Sequence, residues 1–228
     1  EEVTGCFNNG TLSAITLGYT LSNNIGVEVS MGYVFGKGYN IRSEEQQILD
    51  GTEILHSAWN TTKRKSTNAF VAPSLLLTTG DGTVKPYLSA GPVLAFATVD
   101  EESSRYSDYD NTPELVKYEE KYSGGVALGV RGTAGLDMKL SKKLRLFSEL
   151  AFIGMSYHPR GKETLKYEIN GQDQVPTWTV RLRKVKYVQR IDIDTESLDL
   201  SADKPSAELR KYFNMNSLSV LAGLKVLL

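Results

Sequence analysis

Seven charged residues fall on the inward parity of their own alternating runs: Glu28, Arg131, Asp137, Lys139, Arg145, Glu149 and Lys225. Three acids set against four bases can neutralise one another almost completely, and a confined interior requires that, because an unpaired buried charge is costly. A three-residue turn at Leu140-Ser141-Lys142 sets Asp137 opposite Arg145 and brings Glu149 diagonal to Arg131, within reach of long side chains. The chemistry of this row is a plug of salt bridges. A gated pore is the other use of such a row, and the plug reading expects Arg131→Ala to open a conductance that the native chain lacks.

Ser156 and His158 lie two apart on the opposite parity. A serine beside a histidine can become a nucleophile if an acid orients the imidazole, and no such acid is identified. Asp108-x-Asp110-Asn111 with Glu114 offers oxygen ligands of the kind calcium takes. The histidine spacing and the single cysteine, Cys6, give no zinc site. No phosphate loop or nucleotide fingerprint occurs, and no cofactor is expected.

The elements that position these residues are read from period two. From Gly125 to Leu140, Val126, Leu128, Val130, Ala134, Leu136, Met138 and Leu140 share one face. The other face holds Gly125, Ala127, Gly129, Arg131, Thr133, Gly135, Asp137 and Lys139. The charged face is also the glycine-rich face. That suits a crowded polar interior behind an apolar exterior, the pattern of a membrane-spanning β-barrel. A soluble lipocalin-like barrel, the competing fold, needs the reverse.

Similar runs cover Thr11–Leu21, Ile25–Gly36, Thr67–Thr79, Pro86–Val99, Leu144 onward and Ser217–Leu228, giving seven spanning strands. Connections alternate short and long. Ser22-Asn23-Asn24, Gly80-Asp81-Gly82-Thr83 and Ser141-Lys142 read as turns. The long ones are 37–66, with Ser43-Glu44-Glu45-Gln46 as a helix start, the acidic, tyrosine-rich 100–123, and 160–216. The last holds its own β signals in Thr177–Ile193 and a short helix at Pro205–Phe213. It is read as an extension of the sheet capped by that helix.

Residues 1–228 read as a single domain. A net charge of −1 argues against nucleic acid as partner. No run of eighteen apolar residues forms a transmembrane helix. Val3-Thr4-Gly5-Cys6 has a faint likeness to a lipoprotein cleavage box. Short turns on one side place Thr11–Leu21 and Ser217–Leu228 running the same way, so an antiparallel strand is missing between them. The expectation is that it lies upstream of residue 1 and that Glu1 to Gly10 belong to the first external loop.

Lys85-Pro-Tyr-Leu-Ser-Ala-Gly-Pro, Gly129-Val-Arg-Gly-Thr-Ala-Gly-Leu-Asp and Leu221-Ala-Gly-Leu-Lys-Val-Leu-Leu resemble the small eight-stranded outer-membrane barrels: the OmpA transmembrane domain, OmpX, and the outer membrane protein β-barrel families of the Bacteroidota. The likeness covers all seven strands. It departs at Leu228, where these families usually end in an aromatic residue, and in the odd strand count. It implies an all-β, transmembrane, antiparallel up-and-down barrel of eight strands when complete, multi-pass in a bacterial outer membrane and surrounded by outer-membrane lipid. The function expected is a non-catalytic surface binding or structural role, or that of an accessory subunit meeting other outer-membrane proteins or surface ligands through the three long loops. The alternatives are an outer-leaflet lipid A-modifying hydrolase using Ser156 and His158, and a small channel.

Overall fold

The computed structural model describes residues 2–4, 10–49, 53–80, 82–109, 112–191 and 201–227. The chain is all-β. Its strands are β1 (Glu2–Thr4), β2 (Gly10–Thr20), β3 (Ile25–Gly36), β4 (Tyr39–Leu49), β5 (Glu53–Thr78), β6 (Val84–Tyr109), β7 (Thr112–Ser123), β8 (Ala127–Lys139), β9 (Leu144–Tyr157), β10 (Gly161–Ile169), β11 (Gln172–Asp173), β12 (Lys184–Val188), β13 (Ser206–Leu209) and β14 (Phe213–Val226). A 3-10 turn at Val175–Thr177 and a helical turn, α1 (Val180–Arg183), interrupt them.

All strands belong to one 14-stranded sheet with two storeys. The lower storey is a wall ordered β2-β3-β5-β6-β8-β9-β14, antiparallel at every step. Outward positions along it are apolar and exposed, among them Ile15, Leu17, Val29, Met31, Leu75, Leu88, Leu128, Val130, Leu150, Leu218 and Val220. Inward positions are small, polar or packed. The wall curls over its inner face: Arg131 of β8 reaches Ser30 of β3 at 3.2 Å, although β5 and β6 lie between those strands.

Glycines let large rings lie flat on the inner face. Tyr87 covers its cross-strand partner Gly135, Phe147 covers Gly223 and Phe70 covers Gly32. Directly opposed hydroxyls tie neighbouring strands, Thr16 to Ser30 at 2.8 Å and Ser89 to Thr133 at 2.7 Å. Such cross-strand pairs fix register.

The upper storey arises because β5 and β6 are 26 residues each. At about 3.3 Å per residue they run on the order of 85 Å, far beyond an apolar band of about 25 Å. The lower part of β5 pairs with β3 and its upper part with β4. The lower part of β6 pairs with β8 and its upper part with β7. From β7 the sheet continues through β10 and β12 to β13, the one parallel neighbour.

The closed, eight-stranded barrel is therefore corrected. The described residues form an open 14-stranded sheet, and no ladder joins β2 to β14 among them. An odd number of antiparallel wall strands leaves the first and last pointing the same way, so they cannot pair antiparallel. β1 pairs with β4 rather than with β14. Segments 37–66 and 100–123 are β-hairpins and not loops. Ser43-Glu44-Glu45-Gln46 lies within β4, and the Pro205–Phe213 stretch holds β13. Local helix signals there yield to a neighbouring edge that satisfies the backbone. Among the described residues of Thr177–Ile193 only Lys184–Val188 is strand.

Candidate functional site

The interior is zoned. At the short-turn end Arg145 Nε donates to Asp137 at 2.6 Å, and Lys225 Nζ donates to the other oxygen of that carboxylate at 3.3 Å. One level up, Arg131 donates to Glu149 at 3.0 Å and lies 4.0 Å from Glu28. Tyr87 donates to the second oxygen of Glu149 at 2.7 Å. Arg131 is 4% exposed and its Nε has no partner.

Six of the seven predicted interior charges thus form two linked groups. The seventh, Lys139, sits exposed at the lower rim and joins no ion pair among the described residues. The predicted register is corrected by two residues. The turn closes at Ser141, with Lys139 opposite Arg145 and Asp137 opposite Phe147. Asp137 meets Arg145 on the diagonal, and Glu149, opposite Gly135, reaches further along to Arg131. Parity survives the slip because two residues is one full pleat.

Above these charges the interior is mainly apolar, with Asn68 and Ser66 as buried polar residues among apolar ones. Phe70, Val93, Ala95, Ile153, Met155, Tyr157, Phe213 and Met215 pack into one buried cluster. Leu12 of β2 packs against it from the edge strand. The expectation of a polar interior holds only for the lower half. The signal was present in Ala151-Phe152-Ile153-Gly154-Met155, which is apolar on both parities.

A second polar constellation, not anticipated from the sequence, caps this layer where the upper storey begins. Arg64 donates to Glu101 at 2.6 Å. Lys162 pairs with Glu120 at 2.8 Å, and Tyr122 donates to the same carboxylate at 2.8 Å. Lys211, on the return from β13 to β14, donates to the Tyr122 oxygen at 3.1 Å and stands 4.6 Å from that ring and 5.3 Å from Phe213. Burial pushes the Lys211 ammonium below its usual pKa, against the pull of Glu101. Burial, with the carboxylates of Glu101 and Glu120, pushes the Tyr122 hydroxyl well above the usual phenol range. Burial does the same at Tyr187, with Glu208 adding to it. Hydrophobic periodicity could not have found this group, since its members come from five segments far apart in the chain.

Ser156 and His158 both lie on the outer face near the upper rim. No hydrogen bond joins them, His158 Nδ1 has no partner, and the imidazole packs edge-on against Tyr212 at 4.3 Å. No carboxylate orients this histidine among the described residues. Asp108 lies opposite Pro113 and Glu114 opposite Ser107, so Asp108 and Glu114 point to opposite faces of the β6–β7 hairpin. They cannot hold one ion together. Asp110 lies outside the described residues, as does Cys6. Among the described residues no three His, Cys, Asp or Glu side chains group as metal ligands.

Comparison with protein families, with characterised proteins and with solved structures finds no match for this chain.

Proposed function

We propose that this protein is an integral β-barrel of a bacterial outer membrane, resembling the OmpA and OmpX type, and that its upper sheet is a non-catalytic binding or structural platform at the cell surface. The observation that carries the reading is the change of character along each long strand. On β5 and β6 the outward positions run from Leu75, Leu88 and Leu94 to Lys63, Lys65, Asp100 and Glu102 in one register, which the gap in pairing between Val71–Leu94 and Leu75–Ala90 does not shift. A soluble protein rarely exposes an apolar belt of this extent. Hydrocarbon accounts for the belt, and water accounts for the charged storey above it.

Backbone groups cannot be left unpaired in hydrocarbon, so the edges of β2 and β14 require a partner. One strand running opposite to both completes an eight-stranded wall. The position of β1 on β4, at the end of the wall where such a strand would finish, supports that arrangement. A second copy in the same membrane cannot supply an antiparallel closure by edge pairing, because its β2 and β14 would point the same way again.

The packed apolar layer over the ion pairs weighs against a channel. The unoriented His158 weighs against a lipid A hydrolase.

The test is extraction from the native membrane. The reading expects the protein to resist alkaline carbonate and to need detergent. A particle near the chain's 25.2 kDa plus a micelle indicates an autonomous barrel, and a larger one with stoichiometric partners an accessory subunit. A monodisperse protein in buffer without detergent would overturn the membrane reading.

A further inference from the structure

The outer wall carries one polar interruption that the barrel reading leaves unexplained. On adjacent strands Ser156 lies opposite Asn214, and Gly154 lies opposite Asn216. One rung higher, Tyr212 meets His158 edge to face, with the tyrosine 60% exposed. One rung lower, Phe152 lies opposite Leu218 and Leu150 opposite Val220, and all four are exposed apolar side chains. The polar group therefore abuts the apolar belt directly.

No side-chain hydrogen bond joins Ser156, Asn214 or Asn216 to any described residue, and His158 Nδ1 is shielded from solvent without a partner. Next to the apolar belt, unpaired amides and hydroxyls are unfavourable unless something polar meets them. On β8 the belt continues at this height with Leu128 and Val130, opposite Ser156 and Gly154. The interruption is thus local to β9 and β14 and is not simply the end of the belt.

We propose that Ser156, His158, Tyr212, Asn214 and Asn216 form a binding site for the sugar headgroup of a membrane glycolipid, whose acyl chains lie on Phe152, Leu150, Leu218 and Val220. This rests on the membrane reading above. Each component matches the ligand. Asparagine amides both donate and accept, as sugar hydroxyls require. An exposed tyrosine ring offers a flat apolar platform with a polar edge. The apolar rungs beneath suit chains and not a free saccharide.

The experiment is native mass spectrometry of the full-length protein in detergent. It is mixed separately with a monoglucosyl diacylglycerol, a phosphatidylglycerol and a phosphatidylcholine of the same chains. The proposal expects the glucolipid to be retained at a defined stoichiometry and in preference to the other two. Asn214→Leu/Asn216→Leu lowers retention about tenfold, the loss of roughly one net hydrogen bond's worth of affinity. This variant adds apolar side chains to an apolar belt, so it is expected to fold. Tyr212→Ala is a second, independent variant with the same expected direction. Equal retention of all three lipids, or glucolipid retention unchanged in both variants, overturns the proposal. Preferential retention of phosphatidylglycerol also overturns it and would make the patch an anion site. A protein that stays soluble without detergent fails the membrane reading itself, a separate result.

Discussion

Replacing Arg131 by methionine tests the interior ion network at its centre. The guanidinium is 4% exposed and faces Glu149 at 3.0 Å and Glu28 at 4.0 Å, carboxylates only 10% and 13% exposed. Methionine keeps much of the volume and removes the charge. Removing one partner of a buried pair costs about 3–5 kcal/mol, mostly from stranding the other charge. Glu149 retains the 2.7 Å bond from Tyr87, which places the expected loss near the lower end, about 3 kcal/mol. Adding Glu149→Gln takes away the stranded charge, so the double variant is expected to be more stable than Arg131→Met alone. A double-mutant cycle from urea titrations in detergent, followed by far-ultraviolet circular dichroism, measures both effects. A loss under about 1 kcal/mol for Arg131→Met, or strictly additive losses, would refute the view that these charges hold the wall together by mutual neutralisation.

Gly135→Val drives a side chain into the Tyr87 ring and is expected to cost about 1–3 kcal/mol in the same titration, whereas Gly132→Ala, whose added methyl meets only the Ser89 carbonyl at 4.0 Å, stays within about 0.5 kcal/mol. Planar bilayers should show no steady current for the native protein or for Arg131→Ala, because Phe70, Ile153 and Met215 still close the interior above the missing charge; a current through the variant would show that this layer does not seal. Burial lowers the pKa of Lys211, so just below about 10.5 the unfolded chain holds a proton the folded chain has lost, and stability rises with pH. Tyr122 and Tyr187 are displaced upward, so above about 10 the unfolded chain deprotonates first and stability falls. Lys211→Met should lose the rising limb of the urea midpoint against pH and keep the falling one; an unchanged rising limb would remove Lys211 as its source.

The wall was legible because one constraint acts on every second residue. Val126 to Leu140 alternates cleanly, as does Ser217 to Leu228, and the register follows parity even where the turn at Ser141 was misplaced by one residue. The upper storey was not legible, for a physical reason. In the stretches 37–66 and 100–123 both faces are polar, so no period separates strand from loop. What makes them strands is the edge that β5 and β6 present above the wall, a long-range fact. The same holds for Pro205–Phe213, where a short helix is expected from the sequence but β12 offers an edge to Ser206–Leu209.

The ion pairs and the polar constellation that caps the apolar layer show the limit more sharply. Asp137, Arg145, Glu149 and Arg131 were visible because their partners lie one hairpin away, and a turn length fixes who meets whom. Lys211, Tyr122, Glu120 and Lys162 meet only after β10 has folded back on β7 and the chain beyond β12 has returned to the wall. Zoning follows from the same logic. Charges concentrate where short turns let near neighbours in sequence neutralise one another, at the lower end. The apolar layer occupies the level where the wall gives way to the upper storey, and there only distant segments meet. Packing by shape tolerates approximate alignment, whereas an ion pair in a dry interior does not. The interior is polar at the lower end, where hairpin register sets Arg145 on Asp137, apolar above it, and polar again at the cap, where Lys162 meets Glu120.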